Sequence, residues 1–146
     1  MIQLKEITHD NFHAVEKLKV REDQKNFVAP NLYSLAQAWL EYETTRPFAI
    51  YNDETPVGFV QLEWDEEEDS CYIWRYMIDE KYQNMGYGRE SMKLIMDYIK
   101  DSGKFEGVHL QLEPENTAAI KLYKSFGFEF TGYIDEDGEH EMAMKF

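Results

Sequence analysis

The sequence is poor in cysteine: Cys71 is the only one. No intrachain disulfide can form, and no cysteine-based metal site fits. It also lacks any apolar run approaching the twenty or so residues of a membrane span. The opening stretch "MIQLKEITHD" alternates like a strand and has no apolar segment of the kind found in a signal peptide. These absences lead to the expectation of a cytoplasmic protein without a metal. Basic residues are scarce as well, with 15 Lys and Arg against 29 Asp and Glu, a net charge of −14. Such a surface disfavours nucleic acid and anionic membranes as partners and suits a small cationic molecule.

What is present is enough for a packed core. A chain of 146 residues with 43% hydrophobic and 15% aromatic side chains has the size of one ordinary domain. No repeat, linker or second composition regime divides it, so a single domain over 1–146 is expected. The acids cluster in "EWDEEED" (63–69) and "DEDGEHE" (135–141). Both runs read as solvated hairpin turns, with attraction of a polycationic substrate as the alternative.

Hydrophobic spacing orders the elements. Ile2 and Leu4 alternate in a first strand, and Thr8 or Asp10 can cap a helix carrying Phe12, Val15 and Leu18 on one face. A second helix begins near Leu32, with Leu32, Leu35, Ala36, Trp39 and Leu40 on one side. Two strands surround the turn Asn52-Asp53-Glu54, and a third runs from Cys71 to Asp79. Met92, Ile95, Met96 and Ile99 then mark a helix from about Tyr87 to Lys100. "GVHLQLEP" is a strand stopped by Pro114. A short helix starts near Asn116 and is closed by Gly127, and two strands flank an acidic turn at Gly138. The order β-α-α-β-β-β-α-β-α-β-β is that of a mixed α/β domain.

Chemistry concentrates around "EKYQNMGYGRESM" (80–92), where a strand leads into a helix through Gly86 and Gly88. Unpaired N–H groups and the positive end of the helix dipole make such a junction an anion site. Lys81, Arg89 and Lys93 form a local basic patch in an acidic chain. The loop has neither the spacing nor the lysine of a Walker P-loop. Ser91 stands where a dinucleotide fingerprint needs its third glycine. It does match Q-x-x-G-x-G as Gln83-Asn84-Met85-Gly86-Tyr87-Gly88. This resembles the acetyl-CoA pyrophosphate loop of the GNAT superfamily of N-acetyltransferases. About 30 residues on, "NTAAIKLYKSFGF" meets the superfamily's N-x-x-A-x-x-L-Y-x-x-x-G-F at Asn116, Ala119, Leu122, Tyr123, Gly127 and Phe128.

The resemblance covers the whole chain. It implies a mixed, mostly antiparallel sheet of about seven strands, with about four helices on both faces. It also implies acetyl-CoA as cosubstrate and direct acetyl transfer to an amine. By that resemblance the backbone of Tyr76, Met77 and Ile78 pairs with the pantetheine arm, and N–H groups from about Asn84 to Arg89 take the pyrophosphate. Asn116 would hydrogen-bond the cofactor arm or cap its helix. Tyr123 falls where the family places the acid for the leaving thiolate. A phenol near pKa 10 and a thiol near 8.5 differ by roughly 2 kcal/mol, so its proton transfers late.

The general base is not evident. Deprotonating an amine of pKa about 10.4 at pH 7 costs about 4–5 kcal/mol. Polyamine acetyltransferases of this superfamily often place a carboxylate just before the pantetheine strand, where this chain has Trp74-Arg75. Glu63 and Glu113 are the candidates, each through a water chain, and a structural role stays open for both. Arg75 is expected to pair with an acid. Cys71 and the histidines His9, His13, His109 and His140 show no catalytic spacing.

The segment "REDQKNFVAPNLYSLAQAW" (21–39) resembles bacterial spermine/spermidine acetyltransferases of the superfamily. Glu22, Asp23, Tyr33 and Trp39, together with Phe27, Glu41 and Glu43, are the acceptor-site candidates. Acids would meet ammonium groups there and aromatics the methylene chain. The alternatives are an aminoglycoside-like amine, an amino acid, a protein N-terminus, or a non-catalytic acyl-CoA sensor. A homodimer is expected from the resemblance, with "HEMAMKF" (140–146) as an apolar contact.

Overall fold

The computed structural model describes residues 1–146. One sheet is built from β1 (Ile2–Glu6), β2 (Thr45–Asn52), β3 (Thr55–Glu63), β4 (Ser70–Ile78), β5 (Gly107–Leu112), β6 (Glu129–Ile134) and β7 (His140–Lys145). The helices are α1 (Phe12–Lys17), α2 (Asn31–Leu40), α3 (Tyr87–Asp101) and α4 (Thr117–Ser125). Element order and type agree with the hydrophobic spacing throughout. The strand order is β1-β2-β3-β4-β5-β7-β6, and only β4 and β5 run parallel. No helix is long and apolar enough to cross a membrane.

Both faces of the sheet are covered, as the buried run through β3 requires. The larger core lies under α3 and α4, where Met92, Ile95, Ile99, Tyr123 and Phe128 meet Val60, Leu62 and Ile73. The opposite face holds Val15 of α1 against Ala49, Phe59 and Met77. Ile73 and Met77 lie four residues apart on β4, yet face opposite cores. Alternation alone would put them on one face. The pairing with β3 explains the switch: Gln61 faces Arg75 while Leu62 faces Ile73, so Trp74 is an extra, bulged residue. The bulge turns Arg75 toward the α2 side and Tyr76 toward α3.

Some expectations change. In α2 the buried residues are Asn31, Ser34 and Ala38, while Leu32, Trp39 and Leu40 are exposed. Polar contacts set this rotation: Asn31 Nδ2 donates to the Val15 carbonyl at 2.9 Å, and Gln61 Nε2 to the Ser34 carbonyl at 3.0 Å. Asn11, rather than Thr8 or Asp10, precedes α1, with its side chain turned back to Thr8 N–H and the Glu6 carbonyl. β7 lies inside the sheet between β5 and β6, and Met142 is fully buried. The methionines of "HEMAMKF" are thus spent on the chain's own core.

Candidate active site

The β4–β5 ladder runs only from Ser70–Gly107 to Ile73–Leu110. Beyond the bulge the two strands separate, and the half of β4 from Trp74 to Ile78 has no partner on its β5 side. A strand edge buried without water needs a partner for its N–H and C=O groups. The opening forms a cleft of about 570 Å³, walled by Tyr72–Ile78, Leu110–Leu112, Val20, 24–30, Gln83, Asn84, Gly88, Asn116, Ala119, Leu122, Tyr123 and Glu139.

The glycine loop closes one end. Asn84 (φ 62) and Gly86 (φ 86) both take the left-handed conformation, which turns the chain sharply into α3. The first intrahelical bond joins Glu90 N–H to the Gly86 carbonyl at 3.1 Å, so the amides of Tyr87, Gly88 and Arg89 precede it. Gln83 braces the loop: its Nε2 donates to the Ile78 carbonyl at 3.0 Å and to Gln24 Oε1 at 2.9 Å. Asp79, buried at the end of β4, accepts from the amides of Lys19 and Lys81. Neither Asp79 nor Gln24 carried a signal in the sequence beyond being polar.

The structure sorts the loop residues by side chain. Met85 points into solvent, the Tyr87 hydroxyl accepts from Asn52 Nδ2 at 2.9 Å, and Arg89 reaches Ser125 Oγ at 3.2 Å. Those three side chains leave the cleft, and only their backbone stays available to it. The basic patch is likewise dispersed, because Lys93 is paired with Asp97 at 2.7 Å. The residues fit a pyrophosphate-bearing group through backbone donors rather than through charge. No group of His, Cys, Asp or Glu is arranged to hold a metal ion.

Tyr123 stands on α4 at the cleft wall and is 6% exposed. Burial, with the Tyr76 phenol beside it, pushes its pKa well above the ordinary tyrosine value. Its hydroxyl enters no hydrogen bond within the chain, whereas the Tyr76 hydroxyl is engaged with Gly88 and Ser91. Of these two phenols, Tyr123 is therefore the one free to donate to a ligand. Asn116 precedes α4 without a side-chain cap bond, so its amide is also free toward the cleft. Ala119 lies one turn further along the same wall.

On the α2 side, Arg75 donates from Nη2 to Gln37 Oε1 at 2.7 Å and from Nη1 to the Trp74 carbonyl at 3.1 Å. Its partner is thus an amide and a carbonyl, not the acid expected from the sequence, and its buried Nε has no partner. Burial lowers its pKa, opposed by Tyr72, Glu139 and Tyr33.

The two candidate bases lie outside the cleft wall. The Glu63 carboxylate accepts from the hydroxyls of Thr44 and Thr45, and Glu113 follows the end of β5. Glu22 and Asp23 are exposed and paired with Lys25 and Arg21. Trp39 stacks on Tyr42 at 5.6 Å on the surface, and Tyr33, exposed, approaches the cleft only through its field at Arg75. The cleft wall instead includes Phe27, Val28, Tyr72, Arg75 and Glu139. Glu139 was missed because it sits in an acid run that reads as a solvated turn. Its position just after Gly138, in phase with Glu141, was the available signal.

Comparison with known proteins agrees with this geometry. The chain is 31% identical, over 99% of its length and 98% of the relative's, to a spermine/spermidine N(1)-acetyltransferase of Bacillus subtilis strain 168. In fold it resembles a spermidine N-acetyltransferase from Vibrio cholerae solved with CoA and spermine, with a TM-score of 0.81 and 18% identity. That match covers 99% of this chain and 95% of the other. An aminoglycoside acetyltransferase in complex with coenzyme A matches with a TM-score of 0.78 and 18% identity, over 99% and 95% of the two chains. The model of the acetyltransferase (GNAT) family matches residues 5–128. With its split strand pair, its glycine turn and its buried tyrosine, the chain belongs to the GNAT family of acetyltransferases.

Proposed function

We propose that the chain, working as one domain over 1–146, uses acetyl-CoA to acetylate a primary amine, with spermidine or spermine as the acceptor. The observation that carries this reading is the meeting of three features in one cleft: the unpaired half of β4, the amides at the start of α3, and the free Tyr123 hydroxyl. Acetyl-CoA supplies the activated acetyl thioester. The β4 edge from Tyr76 to Ile78 offers backbone groups to an extended arm in the manner of an added strand. The amides of Gly88 and its neighbours receive negative charge at the helix start. Asn116 has a free amide for the same arm.

Tyr123 keeps its proton through the physiological range because burial disfavours the phenolate. It therefore stabilises a leaving thiolate by donating a hydrogen bond and gives up the proton late. Polyamines are favoured as acceptors by the full-length similarity to the Bacillus subtilis relative. The acidic surface, at net charge −14, draws a polycation toward the cleft. The reading includes a homodimer working in the cytoplasm, and sedimentation measures the oligomer.

The test is release of free CoA with a panel of spermine, spermidine, aminoglycosides, amino acids and peptide N-termini. Polyamine turnover well above the water rate is expected. Turnover confined to another amine moves the acceptor assignment and keeps the transferase. No turnover with any amine removes the activity.

A further inference from the structure

The acceptor amine arrives as an ammonium ion. At pH 7 only about one alkylamine in 2,500 is neutral, so the site needs a group to take the proton. Among the side chains that wall the cleft there is one carboxylate, Glu139, in a chain that carries 29 acids. Both carboxylates suggested by the sequence are elsewhere, and Glu63 is already occupied by two hydroxyls.

Glu139 is held by its backbone and not by its side chain. Its N–H donates to Asp135 Oδ1 at 2.9 Å, and its carbonyl accepts from Asp135 N–H at 2.9 Å. These bonds fix the residue at the start of β7, beside the end of β5. Its half-buried carboxylate enters no hydrogen bond or ion pair of the chain. The charged and titratable groups facing it are Asp135 and Asp137 from the turn, Glu113 from the end of β5, and Arg75 and Tyr72 from β4.

We infer that Glu139 is the proton acceptor for the amine, acting from the acceptor side of the cleft while Tyr123 acts from the α4 side. The inference rests on the N-acetyltransferase reading above. Arg75 complements it: a guanidinium in the same wall repels a protonated nitrogen and favours the neutral one. Burial, and the acids around it, raise the Glu139 carboxyl above the ordinary range against the opposing pull of Arg75. Such a carboxylate takes up a proton more readily than a solvated one.

The balance is as follows. The ammonium loses one proton to Glu139, which passes it to solvent. The freed lone pair forms the C–N bond to the acetyl carbon, and the C–S bond breaks with its electron pair on sulfur. Sulfur takes the Tyr123 proton, the second nitrogen proton replaces it, and one proton is released overall.

Glu139→Gln and Glu139→Asp test the assignment, with kcat and KM followed against pH for amines of falling pKa. The wild type is expected to lose kcat/KM as pH falls through the carboxyl's raised value. In Glu139→Gln that acidic limb disappears and kcat drops about 10²- to 10⁴-fold. Low-pKa amines recover part of the loss, Glu139→Asp is intermediate, and acetyl-CoA affinity by calorimetry is unchanged. A higher KM with kcat and the acidic limb intact makes Glu139 an anchor and overturns the inference. An unchanged profile overturns it too. If the wild type prefers an amine other than a polyamine, the same criteria apply with that amine. A wild type that acetylates no amine overturns both this inference and the reading beneath it.

Discussion

The hydroxyl of Tyr76 donates to the carbonyl of Gly88 at 2.8 Å and lies 2.8 Å from Ser91 Oγ. One phenol on β4 thereby sets the height of the first turn of α3 against the unpaired strand edge. Tyr76→Phe should cost about 1 kcal/mol of stability, because Ser91 can still donate to Gly88 at 3.2 Å. A fall in Tm of about 2–4 °C is expected by calorimetry. Acetyl-CoA affinity should weaken as well, and an unaltered Kd would mean that strand and helix start are not coupled.

Tyr123→Phe removes the one buried phenol with a free hydroxyl. Turnover should fall about 10²- to 10⁴-fold while acetyl-CoA affinity is retained. Single-turnover CoA release and titration calorimetry separate the two. A variant with the wild-type rate would take Tyr123 out of the chemistry.

Gly86 and Gly88 make a contrasting pair. Gly86 has φ +86, so Gly86→Ala forces an L-residue into the left-handed region at about 1–2 kcal/mol. A Cβ at Gly88 meets only Tyr76 Oη at 3.6 Å and Leu122 Cδ2 at 3.9 Å, ordinary contacts. Gly88→Ala should therefore fold with near wild-type stability yet bind acetyl-CoA more weakly, since its methyl crowds the amides at the helix start. Equal losses of stability in the two variants would contradict this.

Alkaline stability follows from a buried thiol and a half-buried phenol on β4. Burial pushes the Cys71 thiol up to about 12, opposed by Arg46 and reinforced by Glu63. It likewise raises the Tyr72 phenol to about 12. From pH 9 for the thiol and pH 10 for the phenol, the unfolded chain loses protons that the folded chain keeps. Stability thus falls as pH rises through that window, by about 1.4 kcal/mol per unit for each group. Urea midpoints at pH 8 and 11 measure the loss, and native Cys71 should resist thiol reagents at pH 8 until the chain unfolds.

The elements that could be read from the residues share a cause: their periodicity reports local geometry. Met92, Ile95, Met96 and Ile99 are spaced for one helix face, and all four are buried. Helix α2 was partly misread on the same rule: Leu35 packs on the core, but Leu32, Trp39 and Leu40 face solvent. The rotation is decided by Asn31 and Gln61, whose hydrogen bonds join residues 16 and 27 positions apart in the chain. Trp74 shows the same limit, since a bulge is a mismatch between two strands and leaves no mark in either one.

The glycine turn and helix start at one end of the cleft were legible from the residues, because both are encoded locally in Gln83 to Gly88. Tyr123 was singled out by the resemblance of the Asn116–Phe128 motif, and it stands on the cleft wall. The rest of the cleft wall was decided by tertiary structure. Arg75 joins it through a bulge, the 24–30 segment is held there by Gln83, and Glu139 enters from a hairpin 64 positions beyond Arg75. Charge in a run of acids does not say which carboxylate is turned inward. Only the packing of β4, β5 and β7 leaves one of them half-buried and without a partner.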